Sequence, residues 1–213
     1  MSLPDFIING PDKAPKTIVL AHGAGAAMDS PFMNYFGIEI GNLGHRCVRF
    51  EFPYMAQRRV DGKRRPPNRA PVLLDTWCAV IDHFGRDNLW IGGKSMGGRL
   101  ASMMARQLDD QNHSVSGLVC LGYPFYPPGK PEKAAGRLEH LLGIQTATLI
   151  LQGTRDTFGG LDEVSKLELP DTIQVSYLED GDHGFKPRKK SGRTELENWH
   201  HAVDTIDTFM RSG

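Results

Sequence analysis

Short apolar runs alternate along the chain with segments of helical periodicity, beginning at about residue 17. The runs Ile18–Leu20 and Thr148–Leu151 are almost continuously apolar, which is typical of central strands buried on both faces. The run Ile173–Leu178 instead alternates apolar and polar residues, which favours a strand near an edge. We predict strands at Thr17–Ala21, Arg46–Phe52, Leu89–Gly92, Val115–Leu121, Ala147–Gln152 and Ile173–Leu178, with Phe6–Ile8 available as a short opening strand.

The segments between these runs have helical spacing, so we predict an α/β protein with a mostly parallel sheet of about six or seven strands and helices on both faces. Helices are expected at about 31–43, 71–84, 96–109, 135–142, 161–167 and 195–211. Thr194 and Glu197 predict a capping box at the start of the last helix. Its apolar stripe is Leu196, Trp199, Val203, Ile206 and Met210.

Composition places the chain among ordinary globular proteins, with 39% hydrophobic and 23% charged residues. Its 213 residues predict one domain over residues 1–213 with little room for a cap. No apolar run approaches the ~18 residues of a membrane span, and the N-terminus lacks the pattern of a secretory signal. We therefore predict a cytoplasmic protein without a membrane partner.

The three cysteines, Cys47, Cys78 and Cys120, are widely separated in apolar surroundings. This spacing predicts buried free thiols and does not match a zinc site. No other cluster of ligand residues indicates a metal or an organic cofactor, so none is expected.

The most informative motif is Gly93-Lys94-Ser95-Met96-Gly97, which follows an apolar strand and opens a helix. This G-x-S-x-G pattern is typical of a nucleophile elbow, which exposes the serine hydroxyl beside backbone N–H groups. Gly-Lys-Ser also ends a phosphate-binding P-loop, but that motif requires glycine at position 88, where Asn88 stands. A purely structural glycine turn is the remaining alternative. If the elbow is catalytic, the Met96 N–H is one oxyanion donor.

Partners for Ser95 are expected where other strands end, because sites in open α/β sheets form at the carboxyl edge. Asp156 follows the run ending at Gln152, and His183 follows the last strand. The chain order serine, aspartate, histidine is that of an α/β-hydrolase triad.

The segment after the first long strand supplies the second oxyanion donor, for which Ala24 is preferred and Gly25 is the reserve. A dinucleotide-binding loop does not fit this segment, since Met28 occupies the third glycine position of that motif. His22 is interpreted as a structural residue that orients the loop through hydrogen bonds.

With these motifs in place, the chain resembles the α/β-hydrolase superfamily over nearly its whole length. The segments Phe50–Met55, Gly62–Pro67, Gly122–Phe125 and Gly181–Phe185 resemble a small, lidless dienelactone-hydrolase-like group, related to testis-expressed and KANSL-type α/β-hydrolase-like proteins. The resemblance implies the α/β-hydrolase fold without a cap domain. Dienelactone hydrolases use a cysteine nucleophile where this chain has Ser95, so their substrate is not carried over.

The leading functional hypothesis is a serine-dependent acyl hydrolase acting on a small ester or thioester. Some KANSL-type relatives are scaffolds, so the alternative is a non-catalytic binding or scaffold protein. Residues 57–69 and 183–193 each carry a net charge of +5. Arg64 and Arg65 in the first segment therefore predict an anionic substrate, although both segments could equally be solvated loops.

Tyr123 and Phe125 are expected to form an aromatic rim near the serine, or alternatively to serve in packing. Little besides Tyr54 offers a stacking surface beside the basic segments, so nucleic acid is not expected as a partner.

Overall fold

A computed structural model describes residues 3–213, which form a seven-stranded sheet. The strands are β1 (Phe6–Asn9), β2 (Thr17–Ala21), β3 (Arg46–Phe50), β4 (Leu89–Lys94), β5 (Gly117–Leu121), β6 (Thr148–Gly153) and β7 (Ile173–Leu178). Their order across the sheet is β1-β3-β2-β4-β5-β6-β7, and β1 alone pairs antiparallel with its neighbour. The predictions of a mostly parallel sheet and of an edge position for β7 are confirmed.

Helices cover both faces of this sheet. They are α1 (Pro31–Asn42), α2 (Pro53–Asp61), α3 (Ala70–Phe84), α4 (Met96–Asp110), α5 (Ala135–Leu138), α6 (Leu161–Val164) and α7 (Glu195–Ser212). Alternate residues of β2 enter two separate cores: Val19 packs with α3 and α4, whereas Leu20 packs with α1 and α7. This two-residue period is the reason a continuously apolar strand serves both faces.

Helix α2 is absent from the sequence-based prediction, which treated residues 57–69 as a loop. Its exposed side is strongly polar, so hydrophobic periodicity gave little signal. The residues at the two ends of the helix did indicate it. Pro53 occupies the first turn, and Gly62 ends the helix in the left-handed conformation with φ 70°. Both are standard helix start and stop residues.

The helix predicted at 135–142 is a single turn, α5, between two 3₁₀ turns at Pro131–Lys133 and Leu141–Gly143. Cys78 is exposed on α3, so the prediction of three buried thiols is wrong at that position. In the part of the chain that the structure describes, no helix is long and apolar enough to cross a membrane.

Helix α7 begins with the predicted capping box. The Thr194 hydroxyl accepts a hydrogen bond from the Glu197 N–H, and the Glu197 carboxylate accepts one from the Thr194 N–H. Val203, Ile206 and Met210 are buried as predicted. Leu196 is 60% exposed, because the first turn of the helix extends past the core.

Candidate active site

Ser95 stands at the junction of β4 and α4 in a strained backbone conformation, with φ 52° and ψ −115°. The turn is tight enough that β4 and α4 both press against the end of β2. A Cβ atom at Gly93 or at Gly97 would collide with the carbonyl oxygen of Ala21. Only glycine fits at these two positions, which explains the glycine on each side of the serine. The predicted elbow is the geometry observed.

The structure brings together the three side chains selected from the sequence. His183 Nε2 lies 2.8 Å from Ser95 Oγ, and His183 Nδ1 lies 2.7 Å from Asp156 Oδ2. The Asp156 side chain is fully buried, whereas that of His183 is 25% exposed. A carboxylate accepts hydrogen bonds, so Nδ1 carries the proton and the lone pair of Nε2 faces the serine hydroxyl. This is the tautomer that a general base requires.

Gln152, which the sequence analysis did not select, orients the aspartate. Its Oε1 accepts a hydrogen bond from the Tyr123 N–H at 2.8 Å, so its Nε2 must point the other way. There Nε2 donates to Asp156 Oδ2 at 2.9 Å and to the Gly159 carbonyl at 2.8 Å. A buried polar residue ending an otherwise apolar strand was the available signal.

Phe158 is a second residue that the sequence analysis missed. Its backbone N–H donates to Asp156 Oδ1 at 2.8 Å, so both carboxylate oxygens have donors. Its ring lies against the imidazole of His183, with centroids 4.3 Å apart and planes tilted by 32°. One residue therefore touches both partners of the serine.

The two backbone N–H groups predicted as oxyanion donors belong to Met96, next to Ser95, and to Ala24, which lines the same cavity as Ser95. Met96 is the first residue of α4, so its N–H lies beyond the reach of intrahelical acceptors. The Ala24 N–H forms no hydrogen bond with any of residues 3–213, while the Ala24 carbonyl accepts one from the Tyr54 hydroxyl at 3.0 Å. Tyr54 thus holds the loop through the Ala24 carbonyl, and the Ala24 N–H remains without a hydrogen-bond partner among residues 3–213.

His22 orients the same loop from within the core. Its Nε2 accepts a hydrogen bond from the Phe52 N–H at 3.1 Å, so its protonated Nδ1 donates to the Gly23 carbonyl at 2.7 Å. Burial lowers the pKa of His22, which keeps the ring neutral. The structure places His22 where the sequence analysis expected a structural histidine.

A cavity of about 540 Å³ opens beside Ser95 and His183. Aromatic and aliphatic side chains dominate its wall, in particular Phe32, Phe158 and Trp199. The charged side chains in the wall are Lys94 and Glu195. Its volume and apolar character are those of a small-molecule site.

Four residues assigned to substrate binding from the sequence do not line this cavity. Tyr123 and Phe125 have no exposed surface and pack against each other in the core, with ring centroids 4.9 Å apart. The expected aromatic rim is therefore wrong, because the chain turns these side chains inward behind β5. Arg64 is exposed, and Arg65 is paired with Asp61 on α2.

Most arginines of the two basic segments are neutralised by carboxylates, which reduces the positive field that the sequence predicted. The pairs are Arg59 with Asp29 and Glu51, Arg65 with Asp61, Arg188 with Asp180, and Arg193 with Glu179.

Comparison with known proteins agrees with the fold. A family model described as an alpha/beta hydrolase domain matches residues 14–211. The chain is similar to a dienelactone hydrolase from Anabaena variabilis, with 17% identity, a TM-score of 0.70, and coverage of 97% of this chain and 90% of that one. It is also similar to a serine hydrolase homologue from Coxiella burnetii, with 17% identity, a TM-score of 0.67, and coverage of 94% and 90%.

A monoacylglycerol lipase from Paleococcus ferrophilus is a further structural relative, with 12% identity, a TM-score of 0.69, and coverage of 98% of this chain and 100% of that one. At these identities the likeness establishes the fold alone. Among curated sequences, the polyketide synthase GfsE of Streptomyces halstedii is 28% identical over 143 residues, which cover 60% of this chain. The matched part is 4% of the length of that synthase.

Proposed function

Since this chain belongs to the α/β-hydrolase family, we propose that it is a serine-dependent acyl hydrolase that cleaves a small ester or thioester. The observation that carries the proposal is the position of His183. Its two ring nitrogens lie 2.7 Å from Asp156 and 2.8 Å from Ser95, so it can take the serine proton directly.

In the proposed reaction, the Ser95 hydroxyl attacks the substrate carbonyl while His183 Nε2 takes its proton. Asp156 stabilises the imidazolium through Nδ1. The N–H groups of Met96 and Ala24 stabilise the oxyanion, and His183 then protonates the leaving alcohol or thiol. Water, deprotonated by His183, releases the acyl group and restores the serine.

The cavity beside the triad supports a small apolar group on the substrate. Phe32, Phe158 and Trp199 offer flat faces on which an aromatic or branched acyl group would pack. Arg64 and Arg65 lie outside this wall, so they are not part of this proposed subsite.

A preference for anionic substrates stays part of the proposal, but we place it at Arg58. Arg58 forms no ion pair within residues 3–213 and lines a cavity of about 330 Å³. Gly25, Ala26 and Ser30 line both this cavity and the one beside Ser95, so the two adjoin. A carboxylate on the distal part of a substrate could therefore reach Arg58.

Substitution Arg58→Gln is expected to raise KM for a carboxylated ester roughly 5-fold, since an exposed charge contact contributes up to about 1 kcal/mol. KM for the matched neutral ester should not change. Substitution Arg64→Gln is the control, and it should affect neither substrate. Steady-state kinetics on the ester pair checks the prediction. If Arg64→Gln raises KM for the carboxylated ester and Arg58→Gln does not, the anionic group binds near Arg64, as predicted from the sequence.

The function itself is tested by comparing wild type with His183→Ala on acetyl, butyryl and benzoyl esters and on the corresponding thioesters. Turnover by wild type that the variant loses is the expected result. If the two proteins match on every substrate, the acyl-hydrolase proposal is wrong and the non-catalytic binding or scaffold function is the better one. The cytoplasmic location stays a prediction.

A further inference from the structure

Lys94 is the residue immediately before the nucleophile, and its side chain is packed into the site. Its stem runs beside Gly23 in the oxyanion loop. Its Nζ lies 5.2 Å from the ring centre of Phe32 and 5.5 Å from that of Phe185. Both distances are within the range of a cation–π interaction. Nothing in the proposed reaction uses this half-buried ammonium.

The hydrogen bond made by Lys94 reaches the segment that carries the catalytic histidine. Its Nζ donates to the carbonyl oxygen of His183. The next two carbonyls along the chain are also held: Trp199 Nε1 donates to Gly184 O at 2.9 Å, and Asn198 Nδ2 donates to Phe185 O at 2.8 Å. Three consecutive carbonyls therefore accept hydrogen bonds from side chains of other segments.

This segment needs such support because its backbone is strained. Asp180 has φ 51° and Phe185 has φ 71°, both in the left-handed region that favours glycine. Non-glycine residues persist in that region only when the surrounding structure stabilises them. Trp199 and Asn198 tie the segment to α7, whereas Lys94 ties it to the end of β4, directly before Ser95.

We propose that Lys94 is a positioning residue, whose ammonium holds the main chain of His183 so that Nε2 stays within reach of Ser95 Oγ. The inference rests on the proposed acyl-hydrolase function. Proton transfer needs a separation of about 2.6–3.2 Å, and the observed 2.8 Å lies within it. Lys94 is covalently next to Ser95, and its Nζ is hydrogen-bonded to the His183 carbonyl. Its half-buried side chain therefore links the two residues whose separation must be kept.

The charge of Lys94 makes this support dependent on pH. Burial lowers the pKa of Lys94 to about 8, although the negative charges of Asp156 and Asp182 oppose the shift. Glu195 on α7 lines the same cavity, and the His183 imidazole belongs to the segment being held. Above pH 8 the neutral amine loses the cation–π attraction and donates a weaker hydrogen bond. The support is therefore complete below this pKa and declines as pH rises through it.

Substitution Lys94→Met keeps an apolar stem and removes the donor. We expect kcat to fall roughly 10- to 100-fold, because a displacement of about 1 Å costs on that order. KM should change by less than about 3-fold, since Phe32, Phe158 and Trp199 remain in the cavity wall. Lys186→Met is the matched control: it removes a lysine from the same segment, but its side chain is exposed and forms no hydrogen bond or ion pair within residues 3–213. It should leave kcat unchanged.

The pH profile separates positioning from general stabilisation. Wild type should lose kcat/KM as pH rises past 8, whereas Lys94→Arg should hold it to higher pH, because arginine stays charged. If Lys94→Met does not fold, this comparison decides the question. A profile that Lys94→Arg leaves unshifted overturns the proposal. So does a Lys94→Met variant that raises KM for anionic substrates alone, since Lys94 would then bind substrate.

A second readout does not depend on turnover. The ring nitrogen resonances of His183 in ¹⁵N NMR should differ between wild type and Lys94→Met, and those of Lys186→Met should match wild type. If wild type hydrolyses no ester but these resonances shift, the proposed function fails and the positioning stands. If wild type is active and both kcat and the resonances are unchanged in Lys94→Met, the positioning fails and the function stands.

Discussion

Substitution Asp156→Asn is expected to lower kcat by about 10⁴-fold, because it reverses the tautomer of His183. The Phe158 N–H donates to Oδ1, which favours keeping the oxygen of the new amide at that position. Its NH₂ group then faces His183 Nδ1 and donates to it. The proton of the imidazole moves to Nε2, which can no longer accept the proton of Ser95.

Gln152 works against this orientation, because its own donor faces the new NH₂ group. Its Nε2 already donates toward Oδ2 and cannot reverse, since its Oε1 is held by the Tyr123 N–H. Two donors then face each other in Asp156→Asn, so a modest loss of stability is also expected. Steady-state kinetics and a thermal unfolding scan measure both effects.

Asp162→Asn is the control, because Asp162 is exposed at the start of α6 and should leave kcat within about twofold. A loss of less than tenfold in Asp156→Asn would contradict this orientation of the amide and the reversal of the His183 tautomer that follows from it.

Substitution Ser95→Ala is expected to lower kcat by about 10⁶-fold, leaving only the contribution of substrate binding and the oxyanion donors. Ser165→Ala, at an exposed position, should have no effect. Residual turnover within a hundredfold of wild type would mean that another group is the nucleophile.

Ser95→Gly separates activity from backbone strain. It should lose the same activity, yet raise the free energy of unfolding by about 1 kcal/mol, because glycine accepts the backbone conformation at φ 52° more easily. Chemical denaturation of the alanine and glycine variants measures the difference. Equal stability of the two would mean that the elbow stores no strain.

The framework of this site could be predicted from local patterns. Apolar runs located the strands that became β2 to β7, and the residues that follow β4, β6 and β7 included Ser95, Asp156 and His183. The prediction worked because parallel strands bring their carboxyl ends to one edge.

The surroundings of the site could not be predicted in the same way. Tyr123 and Phe125 lie in a proline-rich segment, which is typical of residues at the rim of a site. Whether their side chains turn outward or into the core depends on the space that the rest of the core leaves for them. Arg65 carries a charge that is neutralised by Asp61, the last residue of a helix that the sequence analysis missed. Gln152 is held by the distant Tyr123 N–H and Lys94 acts on the distant His183, so their roles follow only from three-dimensional contacts.

The central claim is that Ser95 is an activated nucleophile, and covalent labelling with a fluorophosphonate tests it most directly. Intact-mass and peptide mapping of the wild-type protein should find one adduct, located on Ser95. The adduct should be absent in Ser95→Ala, and in His183→Ala it should form much more slowly than in wild type. A folded wild-type protein that hydrolyses esters but forms its adduct elsewhere, or forms none, would contradict the account.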